Sequence, residues 1–199
     1  MKPLPNLQNF FRRFPELDLG EYVLRDMMLS DREQYFKLMK DEQVNQYLSD
    51  EDIPKTVEEA EREIRFWSGL FYRKICPFWG IAEKKTNKLI GTMGFNSWSV
   101  QNRRTEISYD LIPEYWRQGI TSRALIAAIN FGFNVMAVER IEARTMMPNE
   151  PSQKILEKFK FQKEGIIRNY RVIRGEPTNI LQYSLIPDDV KDCDWMEMV

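Results

Sequence analysis

The sequence predicts a single α/β domain, and three observations carry that prediction. Residues Thr105–Ile112 alternate Ile107, Tyr109 and Leu111 with Glu106, Ser108 and Asp110. A period of two marks a strand whose two faces meet different surroundings. A little further on, Ile120–Val135 carries Ala124, Ala127, Ala128, Phe131 and Val135 along one side, the stripe by which a helix packs onto a sheet. Between them stands Trp116-Arg-Gln-Gly-Ile-Thr-Ser122, a strand-to-helix turn with its glycine at the helix entrance. The chain has 199 residues, 43% hydrophobic and 13% aromatic, which suits one full core and is short for two.

The remaining elements follow in chain order. Met1–Leu19 reads as an irregular arm, interrupted by Pro3, Pro5 and Pro15. Glu21–Met28 is the first strand expected. Ser30 with Glu33 forms a capping box for a helix whose apolar side is Tyr35, Leu38 and Met39. A second box, Thr56 with Glu59, opens a helix bearing Ala60, Ile64, Trp67, Leu70 and Phe71. Phe78–Lys84 and Lys88–Trp98 flank Lys85-Thr-Asn87, a hairpin signal. A strand over Arg140–Met147 precedes a helix entered at Asn149. Two last strands fall within Lys163–Val172 and Thr178–Ile186. The division expected is an arm over 1–19, the domain over 20–187 and an acidic peripheral tail over 188–199.

Composition excludes several kinds of chemistry. Lys plus Arg number 29 and Asp plus Glu 30, so no overall field selects nucleic acid. No histidine is present, which removes Ser-His-Asp and Cys-His catalysis and most zinc sites. Two cysteines, Cys76 and Cys193, make neither a disulfide scaffold nor a metal site. No apolar run approaches a membrane span, and the first 19 residues lack a signal-peptide core. The expectations are therefore no metal, no nucleic acid, no membrane, and a cytoplasmic location.

The turn at Gly119 carries the first functional signal. A glycine at a helix entrance lets a ligand approach the backbone, and the first N–H groups of the helix have no internal partners. Such a turn can cradle phosphate, or Gly119 can simply end a loop.

The order strand, Pro113-Glu-Tyr-Trp-x-x-Gly119, helix, strand, Asn149-x-x-Ser152-x-x-x-Leu156-Glu-Lys-x-x-Phe161 resembles the acetyl-CoA-dependent N-acetyltransferases of the GNAT superfamily. Within it, the branch of the ribosomal-protein alanine N-acetyltransferases is most similar. Tyr22-Val-Leu-Arg-Asp26, Leu89-Ile-Gly91 and Arg104-Thr-Glu-Ile-Ser-Tyr109 agree, so the resemblance spans about residues 20–187. It implies a mixed, mostly antiparallel sheet of about seven strands, flanked by about four helices, with a splayed central strand pair. It also implies acetyl-CoA as co-substrate, its pyrophosphate on main-chain N–H groups of Arg117, Gln118, Gly119, Ile120, Thr121 and Ser122. A main-chain donor at Asp110–Ile112, hence Leu111 and Ile112 beside the cofactor, would polarise the thioester carbonyl.

Glu106 is the base implied by the resemblance, with an ion pair to Arg104 or Arg144 as the other reading. Ser152 is implied to face the sulfur and Asn149 to bond the pantetheine, although an Asn there equally reads as a helix cap. Four positions depart from the family pattern. Trp116 and Thr121 alter the phosphate turn, Leu156 stands where a general-acid Tyr is usual, and Lys160 stands where Gly is usual. The activity implied is acetyl transfer to a primary amine, foremost a protein or peptide N-terminus, by a chain able to form a homodimer. A small amine such as a polyamine or aminoglycoside is the alternative acceptor, and a non-catalytic acyl-CoA-binding domain the alternative function.

Overall fold

One sheet of eight strands, in the order β1-β2-β3-β4-β5-β6-β8-β7, organises the chain in a computed structural model that describes residues 3–197. The strands are β1 (Leu17–Asp18), β2 (Tyr22–Arg25), β3 (Phe78–Glu83), β4 (Leu89–Ser99), β5 (Arg104–Leu111), β6 (Arg140–Met146), β7 (Gln162–Ile173) and β8 (Glu176–Leu185). Every neighbouring pair is antiparallel except β5 and β6, which run parallel. The helices are α1 (Leu7–Phe10), α2 (Arg32–Lys40), α3 (Glu42–Asn45), α4 (Val57–Tyr72), α5 (Ile120–Asn134), α6 (Glu150–Lys158) and α7 (Pro187–Val190). The mixed, mostly antiparallel architecture agrees with the sequence reading.

Two adjacent residues of β3 show how the layers stack. The Trp67 ring of α4 stacks on Phe78 at 4.4 Å between centroids. The Phe131 ring of α5 meets Trp79 edge-on at 5.5 Å. Successive side chains of a strand point to opposite faces, so α4 and α5 cover opposite sides of the sheet. The core runs through both layers, with Leu24, Ile64, Trp79, Met93, Phe95 and Ile141 all sealed from solvent.

The local corrections have clear causes. The eighth strand is the two-residue β1, joined to β2 by a turn in which Gly20 takes φ 81° and its N–H donates to Asp18 Oδ1 at 2.7 Å. Two residues are too few to show a period. The arm holds a short helix, α1, because Asn6 Oδ1 accepts from the N–H groups of Gln8 and Asn9. Phe10 packs against Trp98 and Phe14 against Phe71, and Trp79 Nε1 donates to Pro15 O at 2.6 Å.

Ser30 does not cap α2. It lies inside a 3₁₀ turn over Leu29–Asp31, where buried Asp31 pairs with buried Arg25 at 2.8 Å and accepts from the Met28 N–H. At α4, Thr56 Oγ1 does accept from the Glu59 N–H at 3.2 Å. The return bond from Glu59 goes to the Lys55 N–H instead of to Thr56.

Lys160 closes α6 at φ 67°. The turn forms despite the missing glycine because Lys160 N–H bonds Glu157 O and Phe161 N–H bonds Leu156 O. Left-handed backbone costs an L residue about 1–2 kcal/mol, of which a more flexible unfolded chain takes back part in a glycine variant. Lys160→Gly is therefore expected to stabilise the protein by about 0.5–1 kcal/mol, read as a higher midpoint in urea.

Candidate active site

The site begins where two parallel strands part. β5 and β6 pair only from Arg104↔Arg140 to Ile107↔Ala143. β5 stays bonded to β4 as far as Gly91↔Leu111, and β6 stays bonded to β8 as far as Met146↔Ile180. The C-terminal halves of β5 and β6 therefore diverge, each held by its outer neighbour. A cleft of about 1360 Å³ occupies the gap.

The ladder fixes what faces that gap. Ile112 N–H donates to Ile90 O at 2.9 Å. Alternation along an antiparallel pair then directs Asp110 and Ser108 to β4 as well. The N–H groups of Tyr109 and Leu111 point the other way, into the cleft. They are preorganised donors for an oxygen that gains charge. Pro113 ends the pairing by lacking an N–H, and Trp116 Nε1 holds the Leu111 carbonyl at 2.7 Å. Trp116 thus fixes the end of β5.

At the start of α5, Gly119 is the N-cap in left-handed conformation at φ 73°, and no side chain caps the helix. The first-turn N–H groups are open, and a Cβ built on Gly119 would meet only Arg123 Nη1, at 3.7 Å. Trp116, Arg117, Gly119, Ile120, Thr121 and Ser122 line the cleft here. This open cradle of backbone donors fits a pyrophosphate. Arg117 takes φ 60° beside it.

The structure brings Glu106, Leu111, Arg117, Gly119, Ile120, Thr121, Ser122, Asn149 and Ser152 to one cavity wall or another. Gln118 and Ile112 do not line it. Gln118 Nε2 turns back to Glu114 O, and Ile112 packs against the core. Asn149 Oδ1 accepts from the Ser152 N–H at 3.2 Å, which is a helix cap. Glu106 Oε2 lies 2.7 Å from Arg144 Nη1, the ion-pair reading.

Four further residues emerge only in three dimensions. The Tyr109 hydroxyl lies 3.0 Å from Ser152 Oγ, with burial pushing the phenol up to about 12, so it keeps its proton at neutral pH. It supplies, from β5, a hydroxyl near the position where the buried Leu156 offers none. On the opposite face of β5, Asp110 lines the cavity with Tyr35 and Glu63. Burial raises Asp110 to about 6, against a long Thr92 hydrogen bond at 3.4 Å. Burial likewise raises Glu63 to about 7, although the Tyr35 hydroxyl donates to it at 2.8 Å. The period of β5 separates Tyr109 from Asp110. Nothing local in the sequence marks Tyr35 or Glu63.

The family model for the acetyltransferase (GNAT) domain matches residues 22–162. The uncharacterized N-acetyltransferase YoaA of Bacillus subtilis is 34% identical over 173 residues, covering 87% of this chain and 97% of its own. The chain belongs to the GNAT acetyltransferase family. The same fold is seen in the ribosomal-protein-S5-alanine acetyltransferase of Vibrio fischeri, with a TM-score of 0.75, 24% identity, and coverage of 91% of this chain and 98% of that one. It is also seen in RimL, the ribosomal L7/L12 alpha-N-protein acetyltransferase in complex with coenzyme A, with a TM-score of 0.76, 20% identity, and coverage of 86% and 98%.

As a GNAT enzyme the protein is an acetyl-CoA-dependent N-acetyltransferase. Acetyl-CoA supplies an already reactive thioester, and the protein supplies position and electrostatics. Among the described residues, no group of three or more Cys, Asp or Glu is arranged to hold a metal ion. No described helix is long and apolar enough to cross a membrane.

Proposed function

We propose that the protein acetylates the α-amine at the N-terminus of a protein or peptide, in the cytoplasm. The observation that carries this reading is the continuity of the cleft. It runs from the α5 cradle, past the parted strands, to a mouth bounded by α2, α4 and the β7–β8 hairpin. An extended chain end can enter there and reach the N–H donors of Tyr109 and Leu111. Acetyl-CoA lies against α5 and α6 in this reading, with the thioester at the strand gap and Ser152 beside the sulfur.

A small polycation is the competing acceptor, since Glu51, Asp52, Glu59 and Glu63 line the mouth. Two of these are already countered, Asp52 by Arg171 at 2.9 Å and Glu59 by Arg62 at 3.4 Å. That halves the uncompensated charge a polycation would meet among these four carboxylates. The test is thiol release from acetyl-CoA with three matched acceptors: an Ala-initiated peptide, an Nα-blocked lysine peptide and spermidine. The reading expects the free α-amine to be preferred by at least about 10-fold. Preference for spermidine would replace it, and coenzyme A binding with no turnover of any amine would favour a binding domain.

Ser152→Ala should lower kcat while leaving KM for acetyl-CoA unchanged and stability within about 1 kcal/mol, the scale of one hydrogen bond. The cap on α6 would survive because it uses the Ser152 backbone N–H. A loss of stability with normal kcat would assign the hydroxyl a structural role. A homodimer belongs to the same proposal: β7 ends the sheet, and Ile166, Tyr170 and Val172 are exposed along it. A sedimentation mass of one chain at micromolar concentration would remove the dimer.

A further inference from the structure

Glu106 and Asp110 sit on the same face of β5, two positions apart in the alternation, but in different settings. Glu106 lies where β5 and β6 are still joined, opposite Glu142, and its carboxylate is held by Arg144. Asp110 lies beyond the parting, between the two residues whose N–H groups face the gap. Among the described residues its one hydrogen bond is the long contact from the Thr92 hydroxyl, and no cation neutralises it. The residue is half-buried at the wall of the cleft.

We infer that Asp110, in place of Glu106, receives the ammonium of the acceptor and takes its proton before the amine attacks the thioester carbon. The inference rests on the proposed acetylation of an α-amine. An amine entering from the α2–α4 side meets the thioester carbon at the parted strands. Asp110 projects to that side from between Tyr109 and Leu111, so the group that orients the amine and the donors that polarise the carbonyl are neighbours on one strand.

The proton and electron balance is complete. One proton of the ammonium passes to the Asp110 carboxylate, and the freed nitrogen lone pair forms the C–N bond. The C–S bond breaks with its electron pair on sulfur, and the second nitrogen proton goes to that sulfur, giving a thiol. The third stays on the amide. Asp110 then returns its proton to water through the open cleft.

The groups around Asp110 set its character. Tyr35 of α2 stays neutral, raised by burial and by Glu63, while Thr92 of β4 donates weakly. Asp52 adds negative charge, burial lifts Glu63 of α4 to about 7, and Arg144 of β6 and Arg171 of β7 are each engaged by another carboxylate. Burial first and Asp52 second lift Asp110 to about 6. An N-terminal amine, near 8, is then about two units above its acceptor, whereas a lysine-type amine, near 10.4, is more than four units above. Proton transfer is less uphill from the α-amine, so the base itself favours that class of acceptor.

The test is the pH dependence of kcat/KM for an Ala-initiated peptide, from pH 5 to 9. Asp110 works only when ionised, so the parent should lose activity about tenfold per unit below pH 6. Asp110→Asn should lower kcat/KM by about 10²-fold or more and abolish that limb, with KM for acetyl-CoA unchanged. Asn is close in shape, and a thermal midpoint no lower than the parent's would show that the fold persists. Glu106→Gln and Glu63→Gln should each retain the limb. A profile of Asp110→Asn that overlays the parent's overturns the assignment, as does loss of the limb in Glu106→Gln. Absence of turnover in the parent with every amine would instead remove the proposed function, and this assignment with it.

Discussion

Gly119→Asp abolishes coenzyme A binding. Gly119 holds the entrance of α5 in left-handed backbone and leaves the first-turn N–H groups uncapped. A carboxylate there would do two things. Its oxygen would accept from those N–H groups, as Asp does at helix N-caps, and so occupy the phosphate cradle. Its charge would oppose the pyrophosphate at contact distance. The space beside the glycine is open, so the fold should survive, at a cost of about 1–2 kcal/mol for left-handed backbone. Titration calorimetry should show no binding by a variant that still melts cooperatively. An unchanged Kd would place the cofactor elsewhere.

Gly91→Ala should damage both the fold and the chemistry. Gly91 pairs with Leu111, and a Cβ on it would overlap the carbonyl oxygen of Asp110 and come within 2.9 Å of the Leu111 side chain. Backbone cannot rotate away as a side chain can. The added methyl must push β5 off β4 at the residues that frame the reaction. Overpacking of this kind costs about 1–3 kcal/mol, and a displacement of about 1 Å near reacting atoms can cost about 10²-fold in rate. Equilibrium unfolding and thiol release together read the effect. A variant with the parent's stability and kcat would show that β4 and β5 can part freely, contrary to the ladder described.

Much of this was legible in the sequence because it is local. The alternation of Ile107, Tyr109 and Leu111 with Glu106, Ser108 and Asp110 is the two-faced strand observed, and Ala124, Ala127, Ala128 and Phe131 are buried in α5, whereas Val135, expected on the same stripe, is exposed at its C-cap. Thr56 and Asn149 cap the helices they precede. Ser30 misled because a capping box is only a local option. Asp31 is instead drawn into a buried pair with Arg25, whose guanidinium also bonds Asn87, 62 residues away.

The site was harder to read for the same reason. Whether Glu106 is free or paired depends on the register of two parallel strands whose partners, Glu106 and Arg144, are 38 residues apart. The character of Asp110 depends on its burial and on Asp52, brought to it from the turn that precedes α4. Leu156 in place of Tyr looked like a missing hydroxyl, yet Tyr109 reaches Ser152 from β5. No spacing rule connects those two positions.

A crystal structure with coenzyme A bound tests the account most directly. It should place the pyrophosphate within hydrogen-bonding distance of main-chain N–H groups between Gly119 and Ser122. The pantetheine should run along Tyr109–Leu111 in the gap between β5 and β6, with the sulfur near Ser152 Oγ and Asp110 on the far side of the strand. Coenzyme A bound outside that gap, or with its phosphates away from the start of α5, would contradict it.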